Sequence, residues 1–412
     1  MTWRTLTAAL LAACALELTL CPAAEDSPKE APGDAAEAPI EYVPLDAPEG
    51  MSQAVIVQGV PLVHTRQLFP LDPDGKLVGE GSADEQIEQV LTNLETVLKE
   101  CGSGLDRLVR LNIYALSPTT VTRVRELLSK RVPPPVRPAI TSVLTPMPHR
   151  GALVAMDAVA AGEGGEGVVR KRCEAIAGDA TCADAAVLPP GGIAYLSGQP
   201  DDGGLTESAV NRSMSELMKR LGYLELSPED VVQVKIFLLP VTSSEEVLRE
   251  VQKYFPDQMT PPVVFVEWLA SVPIEIEMIA RLPQAEEAVE KVEYYTPPGV
   301  RPSHTFSRVA LLHTDRQIYI SGQHAREPSR GEPQAQYVFE QLQEILDEVG
   351  SDMRHLVKAT YYTCDDDAAR WVDRTRPKVF DPDRPPAASK VMVHGMGMEG
   401  RTMTVDMIAV GR

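Results

Sequence analysis

The stretch YLSGQ at residues 195–199 returns as YISGQ at residues 319–323, 124 positions later. Two short words are weak alone, but a longer alignment carries them. When QVLTNLETVLKECGSGLDRLVRLNIYAL, from Gln89, is set beside YVFEQLQEILDEVGSDMRHLVKATYYT, from Tyr337, five apolar positions coincide. Val90, Leu94, Leu98, Leu108 and Val109 fall on Val338, Leu342, Leu346, Leu356 and Val357, each 248 residues on without a gap. A middle copy, RSMSELMKRLGYLELSPEDVVQVKIFLL from Arg212, fits at 123, with Leu94 on Leu217, Leu98 on Leu221 and Val109 on Val232. Copy one carries the pentapeptide in altered form, within VHTRQLFPLDPDGKLV, where Gln67 stands for the Gln of the motif. With such a period, a fold has to be read for the repeated unit first and for the chain second.

Each copy reads the same way. A strand ends in the SGQ-like turn and a helix follows; in copy one its apolar positions Ile87, Val90, Leu91, Leu94, Val97 and Leu98 recur at helical spacing. A β-branched and aromatic strand comes next, as LVRLNIYAL, VVQVKIFLL and LVKATYYT. A second helix starts at SPTTVTRVRELL, TSSEEVLREVQKYF and DDDAARWVDRTRPKVF, each opening on a Ser, Thr or Asp able to cap it. A Pro-bearing approach and one or two strands close each copy: RPAITSVLTPM with ALVAMDAVA, TPPVVFVEWLA with IEIEMIA, and RPPAASKVMV with TMTVDMIAV. This order predicts an α+β unit with helices covering one face of a sheet, three times over, at residues 51–162, 172–283 and 300–412.

Residues 1–24 place a short apolar run after Arg4, the layout of a secretory signal; the run is too short for a membrane span and Glu17 interrupts it. Two processing sites stay open, a small-residue cut near Ala23 or Ala24 and a cut before Cys14 in LAAC, which resembles a bacterial lipoprotein box. The expectation is an exported chain, periplasmic or extracellular, bound to a membrane only if lipidated at Cys14. Residues 25–50, rich in Pro, Ala and acid, read as a flexible tether. Export permits disulfides, and Cys173 and Cys182, nine apart in the polar stretch CEAIAGDATC, are expected to bridge. A net charge of −20 without any basic and aromatic cluster argues against nucleic acid as a partner. The seven histidines show no paired ligand spacing, so neither a metal nor another cofactor is expected.

The ordered set of strand–SGQ, helix NLxxVLxxxG, strand with a V-K core, Pro-rich approach and final IEIExIA strand resembles the reactive-intermediate deaminase family, RidA-like or YjgF-type. The likeness runs from about Met51 to the C-terminus, three times over. It implies chorismate-mutase-like α+β domains, which in that family assemble as homotrimers with ligand pockets between subunits. Three joined copies then imply an intramolecular pseudo-trimer and a monomeric chain. The family hydrolyses enamine or imine intermediates to keto acids without a cofactor. An Arg after a Pro-Ala pair clamps the substrate carboxylate with its planar fork, and the SGQ backbone and a Glu of the IEIE strand hold the reacting end and its water.

The carry-over is incomplete. The Arg position is Ile140, Val263 and Ala388 in the three copies, and the Glu position is Ala155, Glu275 and Thr404. Ser-Gly survives as Ser197-Gly198 and Ser321-Gly322, while copy one has Thr65-Arg66. The expectation is therefore a small-molecule binder for a carboxylate or imine-type ligand that lacks the usual reaction. Glu275 is the catalytic candidate, and Lys390, Ser321, Gly322, Ser197 and Gly198 are the substrate-binding candidates. Lys390 enters because it lies two residues beyond a lost Arg, on the same face of its strand. Each has a plainer reading: a tight turn for SGQ, a solvated strand face for Glu275 and Glu277, an edge-strand lysine for Lys390. A working deaminase with a relocated cation and a structural envelope protein stay open beside it.

Overall fold

Residues 38–201, 206–283 and 290–412 are described by a computed structural model. The signal predicted over 1–24 and most of the tether lie outside the described residues. The elements run β1 (Ile40–Val43), β2 (Ala54–Val57), β3 (Leu62–Thr65), α1 (Ala83–Glu100), β4 (Leu108–Ala115), α2 (Pro118–Arg131), β5 (Ala139–Leu144) and β6 (Val154–Ala161). The second stretch gives β7 (Val169–Lys171), β8 (Ala185–Leu188), β9 (Gly192–Asp201), α3 (Thr206–Tyr223), β10 (Val231–Leu238), α4 (Ser244–Gln252), β11 (Val263–Glu267) and β12 (Ile274–Leu282). The third gives β13 (Val292–Tyr295), β14 (Val309–Leu312), β15 (Gln317–Gln323), α5 (Gly331–Glu348), β16 (Leu356–Thr363), α6 (Asp366–Val379), β17 (Ala387–Met392), β18 (Gly395–Met396) and β19 (Met403–Ala409). The chain is a mixed α+β fold with three sheets.

The helices form where periodicity and caps coincide. Helix α1 buries Ile87, Val90, Leu91, Leu94, Val97 and Leu98, the stripe read from the sequence. The Ser82, Ser117 and Asp365 side chains accept from the first-turn amides of α1, α2 and α6, satisfying donors that the helix itself leaves open. In α4 the expected cap differs: Ser243 makes no side-chain cap bond, because the short 3₁₀ turn Val241–Ser243 leads directly into the helix.

The sheets are not confined to their own stretches of sequence. The orders are β18-β5-β4-β6-β3-β8-β7, β11-β10-β12-β9-β14-β13 and β1-β2-β15-β19-β16-β17. Each central set is thus extended by two strands from the next stretch, β8 and β7 in the first sheet, β14 and β13 in the second, β2 and β1 in the third, and β18 of the third stretch adds to the other edge of the first sheet by pairing with β5. Strands β2 and β3 are separated by residues 58–61 alone, yet they join different sheets. Strand β1 also corrects the tether over its described part: Ile40 pairs with Val57, so residues 40–43 of the stretch 25–50 belong to a sheet.

Three apolar clusters lie between helices and sheets. Two more combine residues of all three stretches. One holds Val109, Val232 and Val357, and the other Tyr114, Phe237 and Tyr362, equivalent positions of β4, β10 and β16. Between them on the same strands sits a buried polar belt. Arg110 meets Asp406 at 2.6 Å and Lys358 meets Glu277 at 2.5 Å, both across stretches. Asp157 accepts from Asn112 and Tyr114 at 2.8 and 2.7 Å. Lys235 donates to the Tyr362 hydroxyl at 2.9 Å, and its ammonium lies 5.7, 5.8 and 5.6 Å from the ring centres of Tyr114, Phe237 and Tyr362. Three cations and three carboxylates are buried together, which is tolerable only because they are mutually paired or caged.

Candidate functional site

The SGQ-like end of each stretch meets the Pro-preceded strand of another. Ser197 Oγ accepts from the Ala388 amide at 2.8 Å and donates to the Ser307 carbonyl at 2.5 Å. Ser321 Oγ accepts from the Ile140 amide at 2.8 Å and donates to the Ser52 carbonyl at 2.6 Å. In the first stretch, where the motif is altered, Gln67 Oε1 accepts from the Phe265 amide at 3.2 Å. The two serines proposed for substrate therefore spend their hydroxyls on backbone across the junctions. The glycines serve close approach: a Cβ on Gly198 would lie 1.9 Å from Glu275 Oε1, and one on Gly322 would lie 2.8 Å from Thr404 Oγ1.

Glu275, Ser197-Gly198 and the strand carrying Lys390 come together at the junction of the second and third stretches. Glu275 on β12 is buried, and its Oε1 has no hydrogen-bond partner among the described residues. Burial pushes its carboxyl from 4.5 to about 7; the Ser389 hydroxyl opposes the rise, Glu277 adds to it, and Lys358 and Lys390 oppose it. The solvated face read for Glu275 and Glu277 is absent, since Glu277 is buried too and holds Lys358 and Ser389. Lys390 sits on β17, the edge of its sheet, and its ammonium pairs with Asp373 of α6 at 2.5 Å. Ser321 and Gly322 lie at a different junction, against β5.

Two cavities mark the other junctions. One of 540 Å³ lies between the first and second stretches, with Gln67, Phe69, His149, Val263 and Phe265 in its wall. Phe69 and His149 stack edge-on at 4.5 Å, and burial holds the His149 imidazole below its ordinary range. Arg66 lines the same cavity but is tied to Asp184 at 2.6 Å. A smaller cavity of 270 Å³ lies between the third and first stretches and includes Ile140, Ser142, Gly322, His324, Thr404 and Arg125.

The expected Cys173–Cys182 bridge is not formed; both are free and buried. Cys173 packs into the first helix–sheet core, while Cys182 Sγ accepts from Gln252 of α4 at 3.3 Å. The loop between them is organised around the buried Asp184 instead, which binds Arg66, Arg172 at 2.5 Å and the Cys173 amide at 2.8 Å.

The belt cations and Arg125 escaped the sequence reading. A signal for the belt existed: Asp157, Glu277 and Asp406 stand at one place in the aligned strands MDAVA, IEMIA and VDMIA, an acid amid apolar residues.

The profile of a family described as Endoribonuclease L-PSP matches residues 45–162 and 299–411, more than half of the chain. The mitochondrial protein mmf1 of Schizosaccharomyces pombe is 27% identical over 124 residues, covering 30% of this chain and 74% of that protein. A RutC family protein of Synechocystis is 29% identical over 123 residues, 29% of this chain and 93% of its own. Among solved structures, a YjgF family member from Neisseria meningitidis shares 20% identity at a TM-score of 0.23, covering 29% of this chain and 95% of that one.

Proposed function

Because the chain belongs to the endoribonuclease L-PSP family, which takes in RidA-like and YjgF proteins, we propose that it is three tandem RidA-like domains folded into an intramolecular pseudo-trimer. Its junctions hold small-molecule pockets, and the usual imine hydrolysis has been lost. The element order recurring in the three stretches and the ring of exchanged strands support the architecture. The observation that carries the functional reading is the content of the clamp position. Where turn and strand meet across each junction, the side chains are Ile140, Val263 and Ala388. An aliphatic group offers no donor to a carboxylate, and a buried anion without a partner costs several kcal/mol.

The family's nuclease description does not transfer easily to a chain with a net charge of −20. The apolar leader supports an exported protein, lipid-anchored if processed at Cys14. To test the reading, 2-iminobutanoate is generated enzymatically and trapped with semicarbazide. Trapping unchanged by added protein supports the loss of activity; trapping suppressed in proportion to protein concentration overturns it.

A second reading, a deaminase working with a displaced cation, is favoured by Glu275, whose carboxyl at about 7 is poised to exchange a proton near neutrality beside Gly198. Suppression of trapping that disappears in Glu275→Gln would select this reading.

A further inference from the structure

We propose that the groove between helices α5 and α6 is a docking site for an arginine side chain presented by a partner polypeptide. The groove stands apart from the junctions, since its lining comes from the two helices of the third stretch and the short turn at Met353.

Helices α1, α3 and α5 begin and end in register, 123 and 248 residues on, and α6 repeats α2 at 248. In the first stretch Arg131, the last residue of α2, lies across α1. Its guanidinium donates to Glu95 at 2.7 Å, to Glu88 at 3.3 Å and to the Thr92 hydroxyl at 3.2 Å. The position 123 residues on is Tyr254, which spans the second helix pair in its turn. Its hydroxyl donates to the Asn211 carbonyl at 2.8 Å and lies 3.1 Å from the Ser215 hydroxyl, on the counterparts of Glu88 and Thr92. The position 248 residues on from Arg131 is Val379. An isopropyl group carries no donor and is too short to cross, and a groove of 480 Å³ remains between α5 and α6.

The walls state what fits. Gln336, Glu340 and Gln343 stand where Glu88, Thr92 and Glu95 hold Arg131, and Glu332 stands where Asp84 holds Arg123. Among the described residues neither Glu332 nor Glu340 pairs with a cation; Glu340 accepts from the Gln336 amide at 2.7 Å. Buried Phe339 and Met353 form a floor for an aliphatic stem. Lys378 lies at the rim, but it is the counterpart of Lys130, which stands next to Arg131 without displacing it.

Two carboxylates, two amide carbonyls and an apolar floor suit a guanidinium on a methylene stem. A phenol brings no charge, and the donors of an ammonium diverge from one point. In both of the other helix pairs the occupant is a side chain delivered by an adjacent backbone, which favours a residue of a polypeptide over a free cation. A net charge of −20 repels a second copy of the chain and attracts a basic partner.

Calorimetric titration of the full chain with acetyl-Ala-Ala-Arg-Ala-Ala-amide tests the proposal, with the citrulline peptide and butylguanidine for comparison. The arginine peptide is expected to bind at one site, at least fivefold tighter than the citrulline peptide and tighter than butylguanidine. Val379→Arg, which gives the third stretch the side chain of the first, should abolish binding, while Val379→Ala should keep it. Glu340→Gln should weaken it by roughly 2- to 5-fold, the range of an exposed ion pair. Failure of the arginine peptide to bind, equal binding of the two peptides, or binding that survives Val379→Arg overturns the proposal. Butylguanidine bound as tightly as the peptide would make the occupant a free cation, and a wild-type dimer dispersed by Val379→Arg would make it a second copy; either result overturns the assignment to a partner.

Discussion

Removing the charge of Glu275 is expected to stabilise the protein at alkaline pH and to do almost nothing at acid pH. The carboxyl is raised from 4.5 to about 7, chiefly by burial, with Glu277 adding to the rise and Ser389, Lys358 and Lys390 opposing it. The folded chain therefore keeps this proton over a range of pH in which the unfolded chain has released it. Its contribution to stability is complete below about 4.5 and is lost as pH rises toward 7. A gap of about 2.5 pH units, at about 1.4 kcal/mol each, makes the ionised form about 3 kcal/mol worse than the neutral one in the folded state. Glu275→Gln preserves the shape and never ionises. Urea denaturation followed by tryptophan fluorescence should find the variant about 3 kcal/mol more stable than wild type at pH 8 and nearly equal to it at pH 4.5. Titrations shared by both proteins cancel in the difference. A variant less stable at pH 8, or a difference indifferent to pH, would refute the reasoning and mean that Lys358 or Lys390 compensates the ionised carboxylate in full.

Three further outcomes follow from the packing. Lys235→Met leaves the carboxylates of the belt without their central cation, and denaturation should register a loss of about 3–5 kcal/mol; a neutral effect would show that the aromatic cage tolerates an apolar occupant. Gly198→Ala drives a methyl to within 1.9 Å of Glu275 Oε1. It should cost about 1–3 kcal/mol, most of it recovered in a Glu275→Ala background, which a double-mutant cycle reads directly. Because each sheet is completed by strands from another stretch, the chain should run as a monomer in light scattering and melt in one calorimetric transition; separate peaks would mean stretches that fold independently.

Much of this protein is local and was legible from its sequence. The stripe from Ile87 to Leu98 faces the core because helical periodicity needs no knowledge of the partner. The aligned strands LVRLNIYAL, VVQVKIFLL and LVKATYYT become β4, β10 and β16 because alternation and β-branching act residue by residue. Glu275, Gly198 and Lys390 could each be singled out by position within the aligned stretches. What the sequence could not decide is which stretches stand next to one another. Nothing in residues 58–61 distinguishes a hairpin from two strands parting into different sheets, since that choice depends on the pairing energy of distant β15 and β8. The spacing of Cys173 and Cys182 suggested a bridge, whereas Asp184 gathered Arg66 and Arg172 and ordered the loop by charge. Arg125 looked like any charge on the solvent side of an amphipathic helix. It becomes a cavity wall only when β15 and its turn arrive from about two hundred residues away, because a side chain's partners are set by tertiary contact and not by its place along the chain.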